Sequence, residues 1–171
     1  MARCRQTRNK IRSTVSVAAL TALLALSGTP AVGAGTAVCM RPGDEMAVNI
    51  RVMQSEMMVA ALACDQAADY NAMVRKFQPD LVAGGAALKQ MFRSAYGASA
   101  EHHLGRFVTV LANDAAQRSA TEQAAFCTEA SRVFERVKGM DRSEFRAFVA
   151  GAGYADRHGV SLCGARDSAE R

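Results

Sequence analysis

Apolar residues recur along most of this chain at intervals of three and four, the period of helices laid against a core, and no stretch alternates as a half-buried strand would. After Arg41-Pro42-Gly43, Asp44 and Glu45 stand where acidic side chains favour a helix start. Met46, Ile50, Met53, Met57, Ala60 or Ala61, and Cys64 then form a single apolar stripe. A second helix is predicted from about Gln66, with Tyr70, Val74, Phe77, Leu81, Gly84, Leu88, Met91 and Ala95 on one face. Pro79 lacks an amide donor and its ring clashes with the preceding turn, so a kink or restart is expected between Phe77 and Leu81. Gly84-Gly85 either admits a close neighbour or loosens the helix, and Tyr96-Gly97 ends it.

Ser99 is a candidate cap for a third helix, whose stripe is Leu104, Phe107, Val108, Leu111 and Ala115. Ser119 with Glu122 reads as a capping box for a fourth helix, bearing Phe126, Ala130, Val133, Phe134 and Val137 and stopped by Gly139. Asp141 with Glu144 opens a short fifth helix through Phe145, Phe148 and Val149. From about 154 the chain is polar and glycine-punctuated, and it is expected to be held only at Cys163. Short connections between long helices make sequential neighbours antiparallel. The predicted fold is therefore all-α, an up-down antiparallel bundle of four to five helices.

The first 34 residues change how composition is read. The chain of 171 residues has 21 Lys and Arg against 16 Asp and Glu, a surplus that would ordinarily suggest a polyanionic partner. Arg3, Arg5, Arg8, Lys10 and Arg12 all lie before residue 35, where there is no acidic residue, so the remaining basic and acidic counts are equal. A charged start, the apolar stretch Val15 to Leu26 and the small residues up to Ala34 follow the order of a secretory signal peptide. Cleavage is expected after Ala34, with Ala37 as the second choice, leaving residues 35–171 as one helical domain in a bacterial periplasm. The strongly apolar part is shorter than the roughly twenty residues that span a bilayer, and no later run approaches that length.

Export gives the cysteines their meaning. Cys4 leaves with the leader, and Cys39, Cys64, Cys127 and Cys163 remain, an even number in an oxidising compartment. The up-down trace puts Cys64 and Cys127 at one end and Cys39 and Cys163 at the other, which predicts those two disulfides. Closing the roughly sixty-residue loop between Cys64 and Cys127 is worth about 4 kcal/mol in the chain-entropy account.

Candidate chemistry is sparse. His102-His103 is the one histidine pair, but adjacent helical residues point about 100° apart, which suits two solvent-facing side chains better than two ligands of one ion. Met57 and Met58 belong to a methionine-rich first third, where thioethers could hold copper but where Met57 also falls on the stripe that must be buried. No serine stands in Gly-x-Ser-x-Gly, and Gly151-Ala152-Gly153 lacks the strand and third glycine of a dinucleotide site. No catalytic residue and no cofactor are expected. With the charge balanced beyond the leader, the basic clusters Arg75-Lys76-Phe77 and Arg142 to Arg146 read as solvated faces, and nucleic acid is not an expected partner. Tyr70-Asn71 and Asn113-Asp114 fall near the Cys64 end, as a hydrogen-bonded cap around the disulfide or as a partner or ligand site.

At Tyr70-Asn71-Ala72-Met73-Val74-Arg75-Lys76-Phe77, Leu111-Ala112-Asn113-Asp114 and Phe126-Cys127, the chain resembles small exported helical proteins of proteobacteria that have no established activity. The resemblance implies an extracytoplasmic compartment and a helical architecture, and it carries no catalytic residue. The function expected is that of a non-enzymatic structural or interaction module of the cell envelope with an envelope protein as partner. The alternative is binding of a small molecule or of a copper or zinc ion through Met57, Met58, His102 or His103.

Overall fold

A computed structural model of the chain describes residues 38–163; the expected leader lies outside the described residues. Six α-helices follow one another: α1 (Glu45–Ala63), α2 (Ala67–Lys76), α3 (Gln78–Tyr96), α4 (Ala100–Thr121), α5 (Gln123–Gly139) and α6 (Arg142–Gly151). Short 3-10 turns, Gly97–Ser99 and Tyr154–Arg157, precede α4 and follow α6. Among the described residues the one β contact is a single parallel bridge between Met40 and Leu162. Among the described residues the secondary-structure elements are all helical, as the periodicity requires, and no helix is long and apolar enough to cross a membrane.

The break expected near Pro79 divides one predicted helix into α2 and α3. Phe77 stands at the joint with non-helical backbone, and Pro79 falls in the first turn of α3, where its missing donor costs nothing. The Phe77 amide donates to the Met73 carbonyl while its own carbonyl accepts from Asp80 and Leu81, so both helices are terminated through one residue. Its ring is fully buried and stacks on Phe145 of α6, with centroids 3.9 Å apart. Gly84 serves close approach: a Cβ there would stand 3.2 Å from Ile50 of α1.

Helix α1 differs from its predicted single stripe. Ile50, Met53, Met57, Ala60 and Ala61 are buried as expected, but so are Val48, Asn49, Val52, Ser55 and Glu56 on other sides. The reason is position: α1 packs against all five other helices and the closing turn, so it is the core element rather than one wall of the bundle. At its end Asp65 takes a left-handed backbone, φ 56°, and the Gln66 amide donates to the Ala61 carbonyl, the helix-ending pattern usually given to glycine.

Two expected caps are absent and one is present. Ser99 precedes α4, but its hydroxyl donates back to the Tyr96 carbonyl at 2.9 Å instead of accepting from the helix. Ser119 is buried inside α4, which continues to Thr121, and α5 begins after Glu122 without a side-chain cap. At Asp141 the box is complete: the Glu144 amide donates to the Asp141 carboxylate at 2.9 Å, and the Asp141 amide to Glu144 at 2.8 Å.

Both cysteine pairs lie at disulfide distance as predicted, with Cα atoms 5.0 Å apart for Cys39 and Cys163 and 5.5 Å apart for Cys64 and Cys127. The polar segment after α6 is held at more than Cys163. Tyr154 is buried, Arg157 reaches Glu56, and Met40 exchanges backbone bonds with Ser161 and Cys163.

Candidate functional site

One face of α1 is left uncovered. Arg51, Gln54, Met58 and Leu62 recur at three- and four-residue spacing, which places them on one side of the helix. Arg51 and Gln54 are half-buried, while Met58 and Leu62 are 38% and 81% exposed. Off this face, every residue from Ala47 to Ala61 is buried except half-buried Val59. A helix that is otherwise core thus presents two large apolar side chains one turn apart.

On another side of α1, Glu56 is 5% exposed and fully engaged. Arg118, near the end of α4, donates to it at 2.6 Å, and Arg157 of the closing turn donates to both carboxylate oxygens at 3.0 and 2.8 Å. Those arginines also lie over rings, Arg118 over Phe126 and Arg157 over Tyr154. Cavities of about 340 and 190 Å³ flank the cluster, sharing Glu56, Met57, Glu129 and Arg157 as lining. Burial, followed by the Glu56 charge, pushes the Tyr154 phenol well above its ordinary pKa, so it serves here as a neutral packing group. A carboxylate held by two guanidinium groups from separate elements ties those elements together.

Asp80 in α3 repeats this arrangement. It accepts from Arg142 at 2.7 and 3.2 Å and from Arg146 at 3.0 Å, donors one turn apart on α6. The hydrogen bond from Arg142 is the main cause holding its carboxyl below the usual pKa.

Arg51 contrasts with both. It lies in an apolar groove of about 500 Å³ whose walls include Val74 of α2, Leu81, Val82 and Leu88 of α3, and Leu104 of α4. Its Nε is shielded from water and has no hydrogen-bond partner, and among the described residues no carboxylate pairs with the guanidinium. Nη2 lies 3.8 Å from where a Cβ on Gly85 would stand, which places the head group against the backbone of α3. Burial draws the Arg51 pKa below its ordinary value, opposed by the nearby Tyr70 phenol, yet arginine stays charged at physiological pH.

The residues singled out in the sequence are dispersed. Tyr70 is half-buried beside Arg51 and Asn71 is exposed on α2; Asn113 and Asp114 are exposed on α4, and no hydrogen bond joins the two pairs among the described residues. Polar bonding around Cys64 and Cys127 comes from other residues: Gln66 Nε2 donates to Ser131 Oγ, Ser131 Oγ to the Cys127 carbonyl at 2.9 Å, and Gln123 Nε2 to the Ala63 carbonyl at 3.4 Å. Met57 is buried where Met58 is exposed, so the two thioethers face different surroundings. His103 stacks on Tyr96 with centroids 3.8 Å apart, and His102 is exposed beside it. Among the described residues no three His, Cys, Asp or Glu side chains group to hold a metal.

Arg51, Glu56 and Asp80 are absent from the sequence-derived candidates. For the first two the available signal was a charge of each sign inside a helix with few other polar residues, which must be either compensated or functional. The chain matches no protein-family model, no curated protein and no solved structure.

Proposed function

We propose that the chain is an exported helical module of the cell envelope, periplasmic once its leader is removed, that binds another envelope protein and catalyses no reaction. The observation that carries this reading is the uncovered face of α1, where Met58 and Leu62 are exposed on a helix buried elsewhere. Export is supported by the leader's charge and hydropathy order and by two cysteine pairs at bonding distance, and the resemblance to exported proteobacterial proteins points the same way. In the same reading α1, α3, α4 and α5 alternate in direction. The ties from Glu56 to Arg118 and from Cys64 to Cys127 support this, because they gather the C-terminal halves of α1 and α4 with the start of α5.

The test is a photo-crosslinking residue at position 62 of the full exported chain, irradiated in intact envelopes. A discrete adduct is expected, falling about tenfold with Met58→Glu, since central apolar contacts carry most of an interface's energy. Equal labelling from position 135, on an exposed part of α5, would refute the assignment of this face.

Small-molecule binding is the second reading, favoured by the groove that holds Arg51. Its metal form depends on Met57, Met58, His102 or His103. Stoichiometric copper or zinc in protein purified from the periplasm, lost on His102→Ala, would establish that form.

A further inference from the structure

A half-buried cation that lines an apolar groove, with no counter-charge among the described residues, specifies a ligand more narrowly than either feature alone. Among the described residues, the two buried carboxylates are each held by two arginines, whereas no anion pairs with Arg51. Desolvating a guanidinium is costly, and a fold that supplies counter-charges twice leaves this one unsupplied where the wall is aliphatic and open. The groove's residues sort by chemistry: Val74, Leu81, Val82, Leu88 and Leu104 offer methyl and methylene groups, Gln54 and Gln78 offer neutral amides, and Arg51 offers a charge that no described carboxylate meets. The other cation of the lining, Lys89, sits at the rim, 52% exposed, and already lies 3.8 Å from Glu101.

We propose that this groove binds a single-chain alkyl carboxylate, a fatty acid, with its head on the terminal nitrogens of Arg51 and its chain along the aliphatic wall. Planar guanidinium and carboxylate groups match in two parallel hydrogen bonds, and the bond strengthens when both are removed from water. Charge complementarity selects the head, and the wall selects the tail. A small inorganic anion would lose its hydration without gaining apolar contact, and a neutral alkane would leave the guanidinium as it is. A volume of about 500 Å³ is within the range of small-molecule clefts. The exposed isopropyl group of Val82, 64% accessible on the groove wall, gains the cover it lacks when an acyl chain lies against it. The assignment deepens the small-molecule reading and is independent of the partner assigned to Met58 and Leu62.

Calorimetric titration of the full chain, produced by export and with its disulfides intact, tests it with dodecanoate below its micelle concentration. Saturable one-to-one binding is expected, weakened at least about tenfold in Arg51→Met, because a charge-assisted pair is lost while the aliphatic stem stays. Val82→Glu, at an exposed position that does not endanger folding, is expected to weaken dodecanoate by a similar factor through like-charge repulsion. Dodecanol is expected to bind wild type and Arg51→Met equally and weakly. Absence of saturable dodecanoate binding, equal affinity in Arg51→Met, or displacement of dodecanoate by equimolar acetate would each overturn the proposal. Crosslinking at position 62, run on the same Arg51→Met protein, reports separately on the partner reading.

Discussion

Arg51 and Glu56 stand five residues apart on the same helix, one half-buried and one buried, and the rest of the chain treats them oppositely. Glu56 meets two guanidinium groups delivered by separate elements, α4 and the closing turn. Arg51 shares its groove with Val, Leu and neutral Gln side chains and lies against the backbone of Gly85. A central helix cannot place a charge in the interior at no cost. Where elements distant in sequence bring the opposite charge the residue becomes a joint between them, and where they do not, the residue carries a standing desolvation penalty. Glu56 accordingly joins segments 62 and 101 residues away, while among the described residues no carboxylate ties Arg51 to another element.

If that contrast is right, the largest effect belongs to the joint. Glu56→Ala removes the anion between Arg118 and Arg157, and a loss of about 3 kcal/mol in urea unfolding is expected, the lower end for breaking a buried ion pair. The arginines' partial exposure lets them turn toward water and keeps the loss from being larger. A loss below about 1 kcal/mol would show that the pair is no joint at all, since that is the range of exposed ion pairs.

Asp80 tests whether the same logic holds in a second place. Asp80→Asn is expected to cost about 1.5 kcal/mol at neutral pH, where a carboxylate hydrogen-bonded to two half-exposed arginines becomes a neutral amide. Its folded pKa lies below the ordinary 3.8, so the native state holds the charged form more strongly than the unfolded chain does. That contribution is complete above about pH 4 and is lost as the pH falls through the folded value. Unfolding midpoints followed from pH 6 to pH 2 should therefore converge for wild type and Asp80→Asn in acid. A constant separation would mean that packing, and not the charge, is what Asp80 supplies.

A smaller effect concerns the two arms of the Glu56 joint. Arg118→Ala and Arg157→Ala are each expected to cost about 1 kcal/mol, because the remaining arginine still neutralises the carboxylate. The double substitution should cost more than the two added together, since only then is Glu56 buried without any cation. Simple additivity in urea unfolding would make the arginines independent surface contacts.

These charges also mark the limit of what the sequence shows. Local devices were readable: Pro79 divides a helix because its ring and missing donor act on its own turn, and Asp141 with Glu144 caps α6 through groups three residues apart. The cysteine pairing was readable because helix lengths and short turns bring Cys64 near Cys127 and Cys39 near Cys163. Ser119 with Glu122 shows where such reading fails, since a serine and a glutamate three apart also fit the last turn of a helix, and α4 runs through Ser119 to end at Thr121, just before Glu122. The burial of Asn49, Ser55 and Glu56 depends on what packs against α1 from elsewhere, which periodicity within α1 cannot contain. Tyr70 is a sequence candidate, whereas the charge it adjoins, Arg51, is not, because its half-burial depends on helices that pack against α1 from elsewhere in the chain.

The smallest effect has the opposite sign and discriminates most sharply. Arg51→Met keeps the unbranched stem that packs in the groove and removes the guanidinium whose Nε has no partner. Its terminal nitrogens still reach water, so only part of the desolvation penalty is recovered, and a gain of about 0.5 kcal/mol in urea unfolding is expected. The corresponding replacement of Glu56 by an apolar residue is expected to lose several times that amount, on the same helix and by the same measurement. A charge whose removal stabilises the fold is kept by something other than folding, as binding residues often are. If Arg51→Met instead destabilises the protein by 1 kcal/mol or more, the guanidinium has a structural partner after all, and the contrast between the two sides of α1 disappears.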